Sequence, residues 1–343
     1  MNKTRYLKRA VVAVLLPAMM ACNASLAAAQ TGTLIFEQPE LSGVPGNFFV
    51  PSSAVEKNKY PTSPPFKLIF WQGNPFQANG ELVPSTWDAR SKTGLDVGDD
   101  PNAQFSLRAS GQSSTVQIRG RAVGAYLDSA DLVNSRFRVD PAMMITPGID
   151  LPDQKLFPFA DPNQKLYQSL NLRIPTAVSQ SRPHNTVYVV SDFLFIDRTT
   201  GTKLTYEVGL FHQNPHAPPL TWEGLIKTEV GLFDTGTHSY QVGSPLSPLA
   251  RLNEPVEGSA LYSTLPWRDE RYVAFTISWQ NFKTGLESLK AKGAYNGSMD
   301  PADYALRQWH LNAEMQYDQV PTQLGWSLSD AKILMVRGND IHE

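Results

Sequence analysis

The strongest constraint on the fold is the stretch from Val187 to His212. Two runs rich in Val, Phe, Tyr, Leu and Thr flank Asp197-Arg198-Thr199-Thr200-Gly201-Thr202. β-Branched and aromatic residues favour strands, and a polar, Gly-containing break between two such runs favours a hairpin turn. Centring the turn between Thr199 and Thr200 sets Asp192 opposite Glu207. Successive side chains in a strand point to opposite faces. One face then carries Phe193, Phe195, Leu204, Tyr206, Val208 and Leu210, which require a core. The other carries Asp192, Thr205 and Glu207. Like charges directly opposite one another destabilise a sheet, so the acid pair marks a candidate site.

The rest of the chain repeats this strand pattern. Leu34-Ile35-Phe36 and Lys67 to Trp71 read as short strands, and Thr115 to Leu127 as one strand bent at Gly120 and Gly124. Residues 137–139 and 143–145 are further short candidates, and a Pro- and Asp-rich loop is expected over about 147–165. Leu170 to Ile174 alternates. Lys227 to Phe233, Ser239 to Val242 and Arg271 to Gln280 also read as strands. Only Asn281 to Lys292 spaces its apolar residues (Phe282, Leu286, Leu289) as a helix does. In Trp309 to Tyr317 one parity is Trp, Leu, Ala, Met, Tyr, while the other holds His310, Asn312, Glu314 and Gln316. Lys332 to Val336 is a last strand. Many short strands with turn signals between them predict an all-β chain, two antiparallel sheets packed as a sandwich or jelly roll. The chain is 41% hydrophobic and 18% charged, and residues 30–343 suffice for one large sandwich with long N-terminal loops.

Residues 1–29 read as a signal peptide. Lys3, Arg5, Lys8 and Arg9 precede the apolar run Ala10 to Ala21, and Ala27-Ala28-Ala29 supplies small residues before a cut at Gln30. The expected location is secreted or periplasmic. Lipidation at Cys22 is the alternative, although Met19 and Met20 match a lipoprotein box poorly. The apolar run is too short to stay as a membrane span. Cleavage after Ala29 removes the only cysteine and leaves 26 basic against 32 acidic residues. An acidic chain without a basic run argues against nucleic acid as partner.

No metalloprotease, serine-hydrolase or phosphate-loop motif is present, and no cysteine pair. His212 and His216 lie four apart in a Pro-rich stretch and read as surface residues. Carboxylates on strands remain. Glu207 and Glu314 each sit on a strand whose opposite parity is apolar, so both belong to a polar sheet face. Glycoside hydrolysis needs two carboxyls flanking the scissile bond, one ionised and one protonated. A neighbour such as Asp192 can tune the ionised one. The plain alternative is solvated acids on an exposed face.

Tyr206-Glu207-Val208-Gly209-Leu210-Phe211 resembles the nucleophile strand of glycoside hydrolase family 12, and Ser191-Asp192-Phe193-Leu194-Phe195 resembles the strand preceding it. Phe275-Thr276-Ile277-Ser278, the helix from Asn281 to Leu289, Tyr304-Ala305-Leu306 and Ala313-Glu314 follow the family's order. The resemblance spans about Leu170 to Val336. Gly209 and Phe211 stand where the family has Met and Trp. The resemblance implies a concanavalin-like jelly roll that cleaves a β-linked polysaccharide with retention. Glu207 would be the nucleophile, Glu314 the acid/base and Asp192 the partner of Glu207, with no metal or organic cofactor. Trp71, Trp87, Trp222 and Trp267 lie in or beside Pro- and Gly-rich stretches and are the expected sugar-stacking residues. His310 and Asn312 are expected to bind substrate beside Glu314. The alternative is a non-catalytic carbohydrate-binding or structural cell-envelope protein on the same fold.

Overall fold

The computed structural model describes residues 32–40, 49–51, 66–70, 77–78, 81–82, 87–88, 105–109, 114–131, 142–150, 156–179, 186–213, 237–242, 265–293, 295–316 and 322–338. The signal-peptide segment, Cys22, Trp71, Trp222, His216, residues 137–139 and the expected strand from Lys227 to Phe233 lie outside these.

The strands are β1 (Gly32–Glu37), β2 (Phe49–Pro51), β3 (Phe66–Phe70), β4 (Gln77–Ala78), β5 (Glu81–Leu82), β6 (Trp87–Asp88), β7 (Phe105–Ala109), β8 (Thr115–Arg119), β9 (Ala122–Asp128) and β10 (Ala142–Asp150). They continue with β11 (Gln164–Val178), β12 (Thr186–Asp197), β13 (Lys203–Gln213), β14 (Thr237–Val242) and β15 (Trp267–Ser278). Helix α1 (Trp279–Ala291) follows, then β16 (Tyr304–Gln316) and β17 (Gln323–Arg337). One sheet, A, runs β15-β11-β17-β9-β8-β7-β6, with β1 also paired to β17. The other, B, runs β14-β13-β12-β16-β10-β3-β2. The expected all-β, two-sheet sandwich is what forms. Two pairings in sheet B depart from the expected antiparallel pattern: β13 with β14, and β2 with β3, are parallel.

The core lies between the sheets. Phe193 of β12 meets Phe275 of β15 edge-on at 6.2 Å, and Phe211 of β13 meets Trp267 of β15 at 5.9 Å. Trp309, Leu311, Ala313 and Met315 of β16 are all buried, as their parity predicts. A polar thread crosses this core. The Trp309 indole N–H donates to Ser191 Oγ at 2.8 Å, and Ser191 Oγ donates to Gln168 Oε1 on sheet A at 2.6 Å. Burying those groups unpaired would cost free energy, so the thread helps fix β12 against β16 beside it and β11 across the core.

Three local expectations change. The segment from Thr115 to Leu127 is a hairpin, β8 to β9, because Gly120 adopts φ +55° and lets the chain reverse over two residues. Strand β10 extends through Pro147 to Asp150, where a loop was expected. Trp279 and Gln280 open the helix instead of closing a strand. The Ser278 side chain and Asn281 form a reciprocal cap there, which starts the helix two residues earlier than its apolar spacing suggests. Phe282, Leu286 and Leu289 are buried. Phe282 stacks on Phe159 at 4.6 Å and meets Phe195 at 4.7 Å.

Candidate active site

The site is built on three adjacent strands of sheet B, on the face turned away from the core. The β12–β13 turn is held by Asp197. Its carboxylate accepts from Thr199 N and Oγ1 at 2.8 Å each, from Thr200 Oγ1 at 2.5 Å and from Ser298 N at 2.6 Å. Gly201 takes φ +75° and donates its N–H to Asp197 O at 2.8 Å. The turn sets the register the sequence suggests, with Asp192 opposite Glu207.

Further along the strand pair the register shifts by one. Val190 pairs with Gly209, but Val189 pairs with Phe211, leaving Leu210 as the extra residue of a β-bulge. Without the bulge, the alternation that buries Leu204, Tyr206, Val208 and Leu210 would turn His212 toward the core as well. The bulge instead sends Phe211 inward onto Trp267 and places His212 beside Tyr188 on the polar face. Glycine inside a strand pattern is a signal for such a bulge.

The polar face is thus a lattice of three rows across β13, β12 and β16. The first row is Glu207, Asp192, His310. The second is Gly209, Val190, Asn312. The third is His212, Tyr188, Glu314. The glutamates occupy one pair of opposite corners and the histidines the other, with a row of modest side chains between them. Asp192 and Glu314 are buried, although neither points into the core. His310 and Asn312 are half-buried on the same face.

Hydrogen bonds and fields join the acids. The Tyr188 hydroxyl donates to Glu314 Oε2. Burial, followed by the charge and hydrogen bond of Glu314 and then the charges of Glu207 and Asp192, holds the Tyr188 phenol well above its ordinary range. Asp192 is pushed well above the usual carboxylate range by burial first, then by the charges of Glu207 and Glu314. The like-charge conflict in the sequence is relieved this way, because the shift favours the protonated form of Asp192. Ser239 of β14 donates to Glu207 Oε1 at 2.5 Å, a hydrogen bond that favours the ionised carboxylate. Burial lowers the His212 imidazole to about 4.

The sequence-predicted acids, with His310 and Asn312, therefore share one face, as their strand parity suggests. Trp267 is a correction. It is only 6% exposed, packs in the core and donates its indole N–H to Leu172 O at 2.9 Å, so no sugar face reaches it. Trp87 lies on β6, at the edge of sheet A and away from the acids' sheet. His212 is a strand residue of the site, not a surface loop residue. Sequence reasoning also passed over Tyr188, which shares Asp192's parity, and Ser239, which depends on a parallel pairing that no local pattern announces. Among the described residues no group of three side chains suited to a metal ion occurs, and no helix is long and apolar enough to cross a membrane.

No family model matches the sequence, and no curated protein does. Solved structures of glycoside hydrolases do resemble the chain at low identity. The family 11 xylanase from Neocallimastix patriciarum is 13% identical, over 79% of this chain and 100% of that one, at a TM-score of 0.32. The endoglucanase from Rhodothermus marinus is 11% identical, over 73% and 96%, at 0.34. The family 12 xyloglucanase from Bacillus licheniformis is 8% identical, over 73% and 99%, at 0.33. At these scores the likenesses bear on no step of the chemistry.

Proposed function

We propose that the protein is a secreted or periplasmic retaining glycoside hydrolase acting on a β-linked polysaccharide, with Glu207 as nucleophile and Glu314 as acid/base. The observation that carries this reading is the placement of the two glutamates. They stand on the strands flanking β12, on its non-core face, and the charges of both act on Asp192 and Tyr188 between them. A scaffold gains nothing from three buried or half-buried acids on one face. A double displacement needs two of them in different protonation states.

The surroundings favour the roles assigned. Ser239 supplies a hydroxyl donor to Glu207 Oε1, and the Glu207 carboxylate attacks the anomeric carbon. Tyr188 donates to Oε2 of Glu314 and holds the carboxyl that protonates the leaving glycosidic oxygen. Glu314 then deprotonates the water that releases the sugar from Glu207. Protonated Asp192 offers the nucleophile's neighbourhood a hydrogen-bond donor without adding a second charge beside Glu207.

The test is reducing-sugar release from a panel of β-glucans by wild type, Glu207→Gln and Glu314→Gln. Loss of one essential group in such a pair lowers kcat by about 10³-fold or more. Release by the wild type that both variants retain would remove the assignment. Retention also corresponds to carboxyls about 5–5.5 Å apart and inversion to about 6.5–9.5 Å, so the anomer first released reads the working separation.

A further inference from the structure

We infer that His212 is a substrate-binding residue whose Nδ1 hydrogen-bonds a hydroxyl of an uncharged sugar lying across Gly209, between His212 and Glu207. This deepens the reading above, on which it rests for the class of ligand.

Four observations carry it. The bulge at Leu210 brings His212 to the polar face, out of phase with the alternation of the strand before it, and Phe211 takes the inward place. Its ring stands in the row of Tyr188 and Glu314, two places along the strand pair from Glu207 and Asp192. The residue between it and Glu207 on that face is Gly209, which has no side chain to fill the space. Finally, His212 Nδ1 is buried and has no hydrogen-bond partner among the described residues. A buried polar atom left unpaired costs stability, and an orphan on the acids' face of the sheet is accounted for when a ligand hydroxyl completes it. The uncharged character of the ligand follows from the company: the carboxylate of Glu207 stands on this face, and an anionic sugar would meet its like charge. The depressed imidazole pKa agrees, because His212 brings no positive charge to offset it near neutral pH.

The experiment is calorimetric binding of cellotetraose and xylotetraose to Glu207→Gln protein, alone and combined with His212→Phe or His212→Asn, with a thermal midpoint for each. Losing one neutral hydrogen bond predicts binding weaker by roughly five- to tenfold for the Phe variant. Its thermal midpoint is expected to be no lower, since it also removes the unpaired atom. The Asn variant, which keeps a hydrogen-bonding group, is expected to lie between. A Phe or Asn variant that binds as the parent does would overturn the inference. So would affinity and thermal midpoint falling together in both variants, which is the signature of a purely structural histidine. Binding by a wild type that does not hydrolyse, with His212 still required, sustains this inference and removes the catalytic one. Hydrolysis that is indifferent to His212 does the reverse. A parent protein that binds neither oligosaccharide contradicts both.

Discussion

At the scale of single residues, burial biases three groups of the site, Tyr188, Asp192 and His212, toward their neutral forms. Tyr188 and Asp192 are pushed up and His212 down, each chiefly by burial. The two shifts act on stability in opposite pH directions. Asp192 has a raised folded-state pKa, so the unfolded chain ionises first. Its effect is absent below about pH 4, the unfolded value, and destabilises the fold progressively as pH rises above it. Asp192→Asn should therefore match the wild type's thermal midpoint at pH 3 and exceed it at pH 7. A variant that is less stable at pH 7 would show that the carboxylate is ionised and paired. His212 has a lowered pKa, so its contribution is full above about pH 6.5, the unfolded value, and is lost as pH falls toward about 4. Replacing it with Asn should flatten the stability profile in that window, and an unchanged slope would mean that the imidazole is solvated.

At the scale of elements, the site depends on two devices: the turn at Asp197 and the bulge at Leu210. Burial alone would raise Asp197, but the hydrogen bonds from Thr200, Ser298 and Thr199 outweigh it and keep its pKa lowered. Asp197→Ala leaves those donors without their acceptor and also unties the hairpin from the 295–303 segment. We expect a loss of about 3 kcal/mol in urea unfolding at pH 7, shrinking as pH falls below about 4, where the wild type protonates as well. Phe282 does the equivalent work for α1. Phe282→Ala should cost about 3–5 kcal/mol, because its ring meets Phe159, Phe195, Tyr206 and Tyr304 together. A loss under 1 kcal/mol would mean that the helix is not part of the cooperative core.

These devices also explain what was legible in the sequence. Strict alternation set Asp192 against Glu207 and put Trp309, Leu311, Ala313 and Met315 in the core, because period two is a local property and the Asp197 turn fixes its phase. His212 reads from its Pro-rich surroundings as a surface residue, whereas a bulge that changes phase at one residue sets it beside Tyr188. Gly209 was the available cue. Pro- and Gly-rich surroundings do not make Trp267 a cleft wall. The tryptophan instead fills the space opposite Phe211, a contact made between sheets. Ser239 reaches Glu207 through β14, a strand distant in sequence and paired in parallel.

At the scale of the whole molecule, the sandwich divides its labour between two faces of one sheet. The inner face of sheet B is anchored by aromatic contacts to sheet A and by the Trp309–Ser191–Gln168 thread. The outer face is then free to carry acids at a spacing that the core does not perturb. The central claim is that Glu207 attacks the sugar and Glu314 delivers the proton. The most direct measurement is intact-mass and peptide mapping of the protein after incubation with 2-deoxy-2-fluorocellobiosyl fluoride, which slows breakdown of a glycosyl-enzyme more than its formation. We predict one added fluorocellobiosyl group, carried by the peptide containing Glu207 and absent from Glu207→Gln. An active enzyme that gains no label, or that carries it on Glu314 or elsewhere, would contradict the account.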